Sequence, residues 1–325
     1  MRFSNELMSD PNVQKNKINT LKRSDRNSWA ERIEIPIRKI CPYPISYDVT
    51  CNQPTNFTEF TYTEIAGGMY LQTHSIDINT RIMQLASEEE SDDDSTHDKL
   101  KSLIKDKYVL KGEIPNKFKN IKKVIFMPGS NLLPIASSDI VSRICGEDEE
   151  IMVKPHPLTN DEFSKMISSN CGGWNRIISP DLSGLYFLQN AEKIYVTTCS
   201  EMATLAIILG KEIENISAYK FESTGVYYPV SRILFSAKDP LKKLINMVNC
   251  KWSGLLFPWQ TDYIERAQAF YDKSIELKKI YRPLHGPINF PHSPPRDTRP
   301  KNAEQNKKEQ HPNAPPFNKK IEYKT

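Results

Sequence analysis

The sequence predicts an α/β protein whose carboxyl-terminal half carries a parallel sheet, and three observations predict it. Short apolar runs recur at Val124-Ile-Phe-Met127, Glu150–Val153, Arg176–Ser179, Lys193–Val196 and around Ile213. Helical stretches separate them, and strands alternating with helices at this spacing imply a parallel sheet with right-handed crossovers. The third observation is Ile151-Met-Val-Lys-Pro-His-Pro-Leu158. Its apolar residues read as the end of a buried strand, after which Pro155 and Pro157 forbid regular continuation. The turn between them holds up Lys154 and His156 at the carboxyl end of a strand, where open α/β sheets bind ligands. An ammonium and an imidazole placed there suit a phosphate. A proline-stiffened loop with an incidental histidine is the competing meaning.

Composition narrows the class. A length of 325 residues allows one large or two medium domains with ample core. Lys+Arg 44 against Asp+Glu 40 gives +4, too mild a balance to diagnose a nucleic-acid binder. The charges are unevenly spread, with an acidic run from Glu88 to Asp94 and a basic segment after Arg282. No run of about 18 apolar residues predicts a membrane span. The first residues, MRFSNELMSDPNVQKNK, lack the apolar core of a signal peptide, so a cytoplasmic location is expected. Six scattered cysteines without a CxxC pair fit a reducing compartment and speak against a structural zinc.

Taken in order, residues 1–30 are polar and predict a flexible arm. Ile33-Glu-Ile-Pro-Ile37 alternates apolar and polar, and Pro36 would confine it to an edge strand. Phe57–Ile65 is the best strand of this half, running into a tight turn at Ala66-Gly67-Gly68. Ser75–Leu85 predicts a helix, Glu88–His97 a solvated loop, and Lys99–Lys105 a short helix. Beyond the strand at Val124, Pro128-Gly129-Ser130-Asn131 forms a loop ahead of a helix around Ile135–Ile144. Asp161-Glu162 open the next helix, where they complement its dipole. Asp181–Leu188 predicts a helix opening on an acid, and Glu201–Leu209 another, closed by Gly210. Tyr263–Lys279 is a long helix, and the Pro/Asn-rich chain beyond Arg282 reads as disordered.

Two features point at one place. Lys154 and His156 follow one strand, while Thr197-Thr198-Cys199-Ser200 follow another and open a helix, whose N–H groups and hydroxyls suit an anion. Plain N-capping by Ser200 is the commoner meaning of such a serine. The domain lacks GxGxxG and GxxxxGK[ST], which argues against a dinucleotide dehydrogenase or a P-loop protein.

The run KPHP, then DLSGLYFLQNAEKIYVTTCSEMATLAIILGKEI, then AYKFESTGVYY resembles the carboxyl-terminal domain of bacterial capsule polysaccharide glycosyltransferases of the Kdo-transferase type, with a looser likeness to polysialyltransferases. The resemblance spans residues 120–250 and not the amino-terminal third. It implies a GT-B-like fold of two Rossmann-like domains, the carboxyl-terminal one clearest, followed by the disordered tail. Together with the composition, the expected boundaries are an arm at 1–30, a small acceptor-side domain at 31–118, a nucleotide-sugar-binding domain at 119–260, a return helix at 261–282 and the tail at 283–325.

By the same resemblance, Lys154 and His156 contact the donor phosphate, with Ser200, Thr198, Glu201 and Ser130 beside them. Phe221 and Gly225 fall on an aromatic-x-x-x-Gly loop that shapes the donor pocket. The chain departs from the family at Leu205, where a glutamate is usual, and at Glu212, where proline follows the lysine. Inverting transfer needs a base on the acceptor hydroxyl, for which Glu64 and Asp77 are candidates, each more often a solvated acid. No metal or cofactor is expected, because Asp92-Asp-Asp94 lies in the acidic loop. The donor is a nucleotide sugar, with a CMP-sugar favoured by resemblance. The acceptor is a capsule-like glycan or a hydroxymethylated base in phage duplex DNA, which the basic tail would meet. A non-catalytic nucleotide-sugar-binding protein and a nucleotide-sugar epimerase are the alternatives.

Overall fold

The computed structural model describes residues 29–40, 45–47, 60–73, 75–91, 93, 95–105, 113–129, 135–157, 159, 161–218 and 225–285. The chain to Ile280 forms one compact unit, and a second unit begins at Tyr281. Two four-stranded sheets organise the first unit. One is parallel, of β4 (Lys123–Phe126), β5 (Met152–Lys154), β6 (Lys193–Val196) and β7 (Glu212–Asn215), in the spatial order β5-β4-β6-β7. This is a mixed α/β architecture whose parallel sheet is flanked by helices on both faces.

Strand alternation sorts its core. Val124, Phe126, Ile194 and Val196 face one way, against α6 (Gly184–Asn190) and α7 (Met202–Ile208). Ile125, Met127, Val153 and Tyr195 face the other, against α4 (Ser138–Glu147) and α5 (Asp161–Asn170). Side chains of successive strand residues point to opposite faces, so continuous apolar runs are what a sheet covered on both sides requires.

The other sheet has the order β1-β2-β3-β8, built from Ile45–Tyr47, Phe60–Ile65, Gly68–Thr73 and Leu255–Leu256. Its central hairpin β2–β3 is buried along its whole length. Phe60 packs edge-on against Phe270 and Tyr271 of the long helix α10 (Tyr263–His285), with ring centroids 6.1 and 4.7 Å away. The Tyr62 hydroxyl donates to Glu34 of α1 (Trp29–Ile40). At the far end, Asn79 of α2 (Ile76–Glu88) bonds both the N–H and the carbonyl of Thr73 at 2.8 Å. β8 pairs with Met69 and Tyr70, so the carboxyl-terminal chain completes the amino-terminal sheet.

Four expectations are corrected. Ile33–Ile37 is helical: Ala30, Ile33 and Ile37 are buried while Ile35 is 65% exposed. Burial at spacings of three and four satisfies a helix stripe, and packing of that stripe overrides Pro36 inside the helix. The acidic loop is shorter than expected, because α2 reaches Glu88 and α3 (Ser95–Leu103) starts where Asp93 accepts the Ser95 N–H at 3.0 Å. Arg176–Ser179 is no strand; a 3-10 turn at Trp174–Arg176 leads to a single bridge of Ile177 with Val153. Helix α6 opens on Ser183, which accepts the Tyr186 N–H at 3.0 Å, and not on Asp181. Helices α8 (Tyr228–Ser236) and α9 (Pro240–Asn249) add to the expected elements, and Asp239-Pro240 is a legible start signal for the second.

One surface pair yields a pH prediction. Lys123 Nζ lies 2.5 Å from Asp148, and that hydrogen bond holds the Asp148 carboxyl below the usual range. A depressed acid adds stability above its unfolded value of about 4, which is lost as pH falls through the lower folded value. Thermal melts of Asp148→Asn should therefore match wild type in strong acid and fall below it near neutrality. Equal melting temperatures across the whole range would refute the linkage.

Candidate functional site

The parallel sheet changes direction between β4 and β6. From β4 the chain steps outward to β5, then crosses back to β6 and continues to β7. Connections leaving neighbouring strands in opposite directions open a crevice at the carboxyl ends of the strands. Here that crevice is bordered by Met127-Pro128-Gly129 after β4 and Thr197–Ser200 after β6. The Lys154–Pro157 turn follows β5, on the other side of β4. Two strand spacings separate the turns after β5 and β6, roughly 10 Å.

Lys154 is 2% exposed. Its ammonium donates to the carbonyls of Pro155, 2.9 Å away, and Pro180, 3.0 Å away, tying the turn to the chain that enters α6. It thus builds the turn from beneath and places a positive charge under this edge. His156 is half-buried, and its carbonyl accepts the Thr159 N–H at 2.8 Å, closing the turn.

The second loop is packed from several sides. Thr198 is buried; its N–H donates to the Ser217 hydroxyl at 2.9 Å, and the two hydroxyls lie 3.1 Å apart. Cys199 is buried, its Sγ 3.0 Å from the Thr197 hydroxyl, and burial pushes its thiol up to about 11. Burial therefore disfavours the Cys199 thiolate, the form in which a cysteine acts as a nucleophile. Ser200, partly exposed, accepts the Met202 N–H at 3.2 Å, but the N-cap of helix α7 is Glu201, so Ser200 stands one residue before the capping position.

The amino-terminal hairpin reaches the same loop. Its two-residue turn has positive φ at both Ala66 (47°) and Gly67 (78°), the twist that a tight hairpin demands. Left-handed backbone costs a non-glycine residue about 1–2 kcal/mol. Glu201 offsets that cost, accepting the Ala66 N–H on Oε1 at 2.7 Å. From the other side the Tyr227 hydroxyl donates to the Glu64 carbonyl at 2.7 Å. Glu64 itself is buried, 6% exposed, one residue before the end of β2. Removing the carboxylate with Glu201→Ala should cost about 1–2 kcal/mol in urea melts, since a hydrogen bond to a charged acceptor is lost at a partly exposed site. No change in the melt would show the turn to be self-sufficient.

The sequence-selected residues therefore divide. Glu64, Thr198, Ser200, Glu201 and Gly225 converge at the loop after β6. Lys154 and His156 stand two strands away along the same edge. Asp77 does not join them: it is exposed in the first turn of α2, beyond Thr73, whose strand partner is Phe60. Four residues of strand, about 13 Å, separate that end from Glu64. Ser130 and Phe221 lie outside the described residues. Sequence reasoning missed Ser217 and Tyr227. Neither belongs to a spacing motif, although Tyr227 stands two residues past Gly225 in the Gly-Val-Tyr-Tyr run.

A cavity of about 370 Å³ lies against this end of the sheet, between Met127, the start of α4 and helix α5. Another of about 350 Å³ sits at the opposite edge, walled by Arg143, Lys193, Glu147 and Glu214. The first is the better placed for a ligand, because open α/β sheets bind ligands at the carboxyl ends of their strands. Among the described residues, no group of three or more His, Cys, Asp or Glu side chains could hold a metal ion. No described helix is long and apolar enough to cross a membrane. The chain matches no protein-family model and no curated protein.

Proposed function

We propose that the protein is a glycosyltransferase that binds a nucleotide sugar at the carboxyl edge of the parallel sheet and transfers the sugar to an acceptor hydroxyl. One observation carries the reading: the direction reversal between β4 and β6 opens a crevice bordered by the Thr-Thr-Cys-Ser loop, with the Lys-Pro-His-Pro turn after β5 on the same carboxyl edge, on the other side of β4. The resemblance of those two segments to capsule-type transferases supports it, and so does the approach of an amino-terminal hairpin to the same loop.

In this reading His156 and the Ser200 hydroxyl hold the donor phosphate, while the Lys154 ammonium raises the potential beneath it. Developing charge on the departing nucleotide is then met by donors already in position, and such electrostatic stabilisation usually contributes most to the rate. Glu64 is the base that takes the acceptor proton, preferred over Asp77 because its strand end borders the crevice. A two-lobed GT-B arrangement, with the hairpin sheet on the acceptor side, belongs to the same proposal. The donor class favoured is a CMP-sugar, with a glycan or a hydroxymethylated base in duplex DNA as acceptor.

A second reading has its own observation. Leu205 stands where capsule transferases carry a glutamate, and Glu201, the nearest acid in sequence, is engaged with Ala66. A nucleotide-sugar-binding protein without turnover would show that pattern. Incubating the purified chain with CMP- and UDP-sugars and measuring free nucleotide separates the two. Release above the buffer rate supports transferase chemistry. Saturable binding without release selects the second reading, and neither binding nor release sinks both.

A further inference from the structure

We propose that Cys145 and Cys171 are a redox-responsive pair, which a hydroperoxide converts to a reversible disulfide stapling α4 to α5. Cys145 lies in the last turn of α4 and Cys171 directly follows α5, helices that pack against each other. Both are free, buried thiols of the same apolar cluster, 4% and 0% exposed. The two thiols stand close enough for each to shift the other's ionisation. Neither has a part in the proposed sugar transfer.

The chain after Cys171 returns to the pair. Gly172 and Gly173 turn it through left-handed backbone, and the 3-10 turn at Trp174–Arg176 brings Arg176 back to the end of α4. There its guanidinium donates to the carbonyls of Cys145 and, at 3.2 Å, Asp148, which sets its positive charge beside the Cys145 thiol. The Cys171 thiol and the guanidinium together favour the thiolate at Cys145, holding it below the ordinary range against the opposing effect of burial. Cys171 is pushed the other way, by the neighbouring Cys145 and by burial. One sulfur is set to attack and its neighbour to resolve, the asymmetry of a peroxide-sensing pair. The cavity of about 370 Å³ is lined by Cys171 together with Met127, Val141, Met166, Ile167 and Asn170. It admits a molecule as small as hydrogen peroxide to the pair from the Cys171 side.

The chemistry balances. The Cys145 thiolate attacks one peroxide oxygen, the O–O bond breaks, and a sulfenic acid forms with release of hydroxide. That hydroxide takes the proton of Cys171 and leaves as water. The Cys171 thiolate then attacks the Cys145 sulfur; the S–S bond forms, the S–O bond breaks, and the second hydroxide departs as water with the proton first lost by Cys145. Two thiols are oxidised and one peroxide is reduced to two waters.

The staple joins the far ends of two helices that border the candidate site. Helix α5 follows the Lys154–Pro157 turn, and the residue before the Ser137 cap of α4, Ala136, bridges Ser217, the partner of Thr198.

The test uses the native full-length chain treated with hydrogen peroxide, then alkylated, digested and analysed by mass spectrometry. The expected product is one peptide pair joined through Cys145 and Cys171, with two of the six thiols lost and both recovered by dithiothreitol. Cys145→Ser and Cys171→Ser should each abolish the cross-link, while Cys250→Ser should retain it. No such cross-link in native protein would overturn the proposal, as would one that forms only after denaturation. Accumulation of sulfinic acid at Cys145 without a cross-link would overturn it too. The readout counts thiols and involves no sugar, so it stands whatever becomes of the transferase reading.

Discussion

Replacing His156 by alanine should lower nucleotide release from the accepted donor by about 10²–10³-fold, or 2.7–4 kcal/mol, the usual loss when one positioned donor to developing negative charge is removed. The fold should survive. What closes the turn at His156 is its backbone carbonyl on the Thr159 N–H, a bond that alanine keeps, and Lys154 goes on tying Pro155 to Pro180. The proper measurement therefore pairs kinetics with a thermal melt. A lost rate with an unchanged melt places the imidazole on the leaving group. An unchanged rate with an unchanged melt sinks that role, and the Lys-Pro-His-Pro turn becomes a stiff loop and nothing more.

Gly225→Ala should destabilise the protein by about 2–6 kcal/mol, from two sources that add. The backbone at Gly225 has φ of 109°, which L-residues rarely adopt, at about 1–3 kcal/mol. A β-carbon there would also lie 2.5 Å from Cβ of Cys199 and 3.0 Å from its Cα, so backbone of the β6 loop must shift, at a further 1–3 kcal/mol or so. Gly210→Ala is the control: its φ is 69° but nothing lies within 4 Å of the added carbon, so only the strain remains. Chemical denaturation of both variants measures the difference. Equal losses would show that Gly225 is held by backbone conformation alone. Because Cys199 sits between Thr198 and Ser200, the Gly225 variant should also weaken nucleotide binding, and the Gly210 variant should not.

Much of the architecture was legible because local chemistry repeats it. The runs at Val124 and Ile194 are apolar on both faces, as strands covered on two sides must be, while the edge strand at Ile213 carries Glu212 and Glu214 on its other face; these strands and the one at Met152 lie where expected. The hairpin turn at Ala66-Gly67 and the helix end at Gly210 could be read from single residues, since few others tolerate positive φ. Where two periods fitted one segment, the sequence misled. Ile33, Ile35 and Ile37 suit a strand face, while Ala30, Ile33 and Ile37 suit a helix face, and the choice between them is made by what covers the segment. Arg176–Ser179 had a strand's composition but found room for one bridging residue only.

The same division runs through the candidate site. Sequence alone determined that two loops after parallel strands carry Lys154, His156, Thr198 and Ser200, because proline, strand period and helix start are local signals. Only the tertiary structure decided what each side chain does. Lys154 turns inward to two carbonyls, Thr198 is bound to Ser217, and Glu201 reaches across 135 positions of chain to the Ala66 N–H. Those partners are set by which buried polar groups need satisfying once the two sheets pack, and long-range pairings of that kind leave no periodic trace in a single chain.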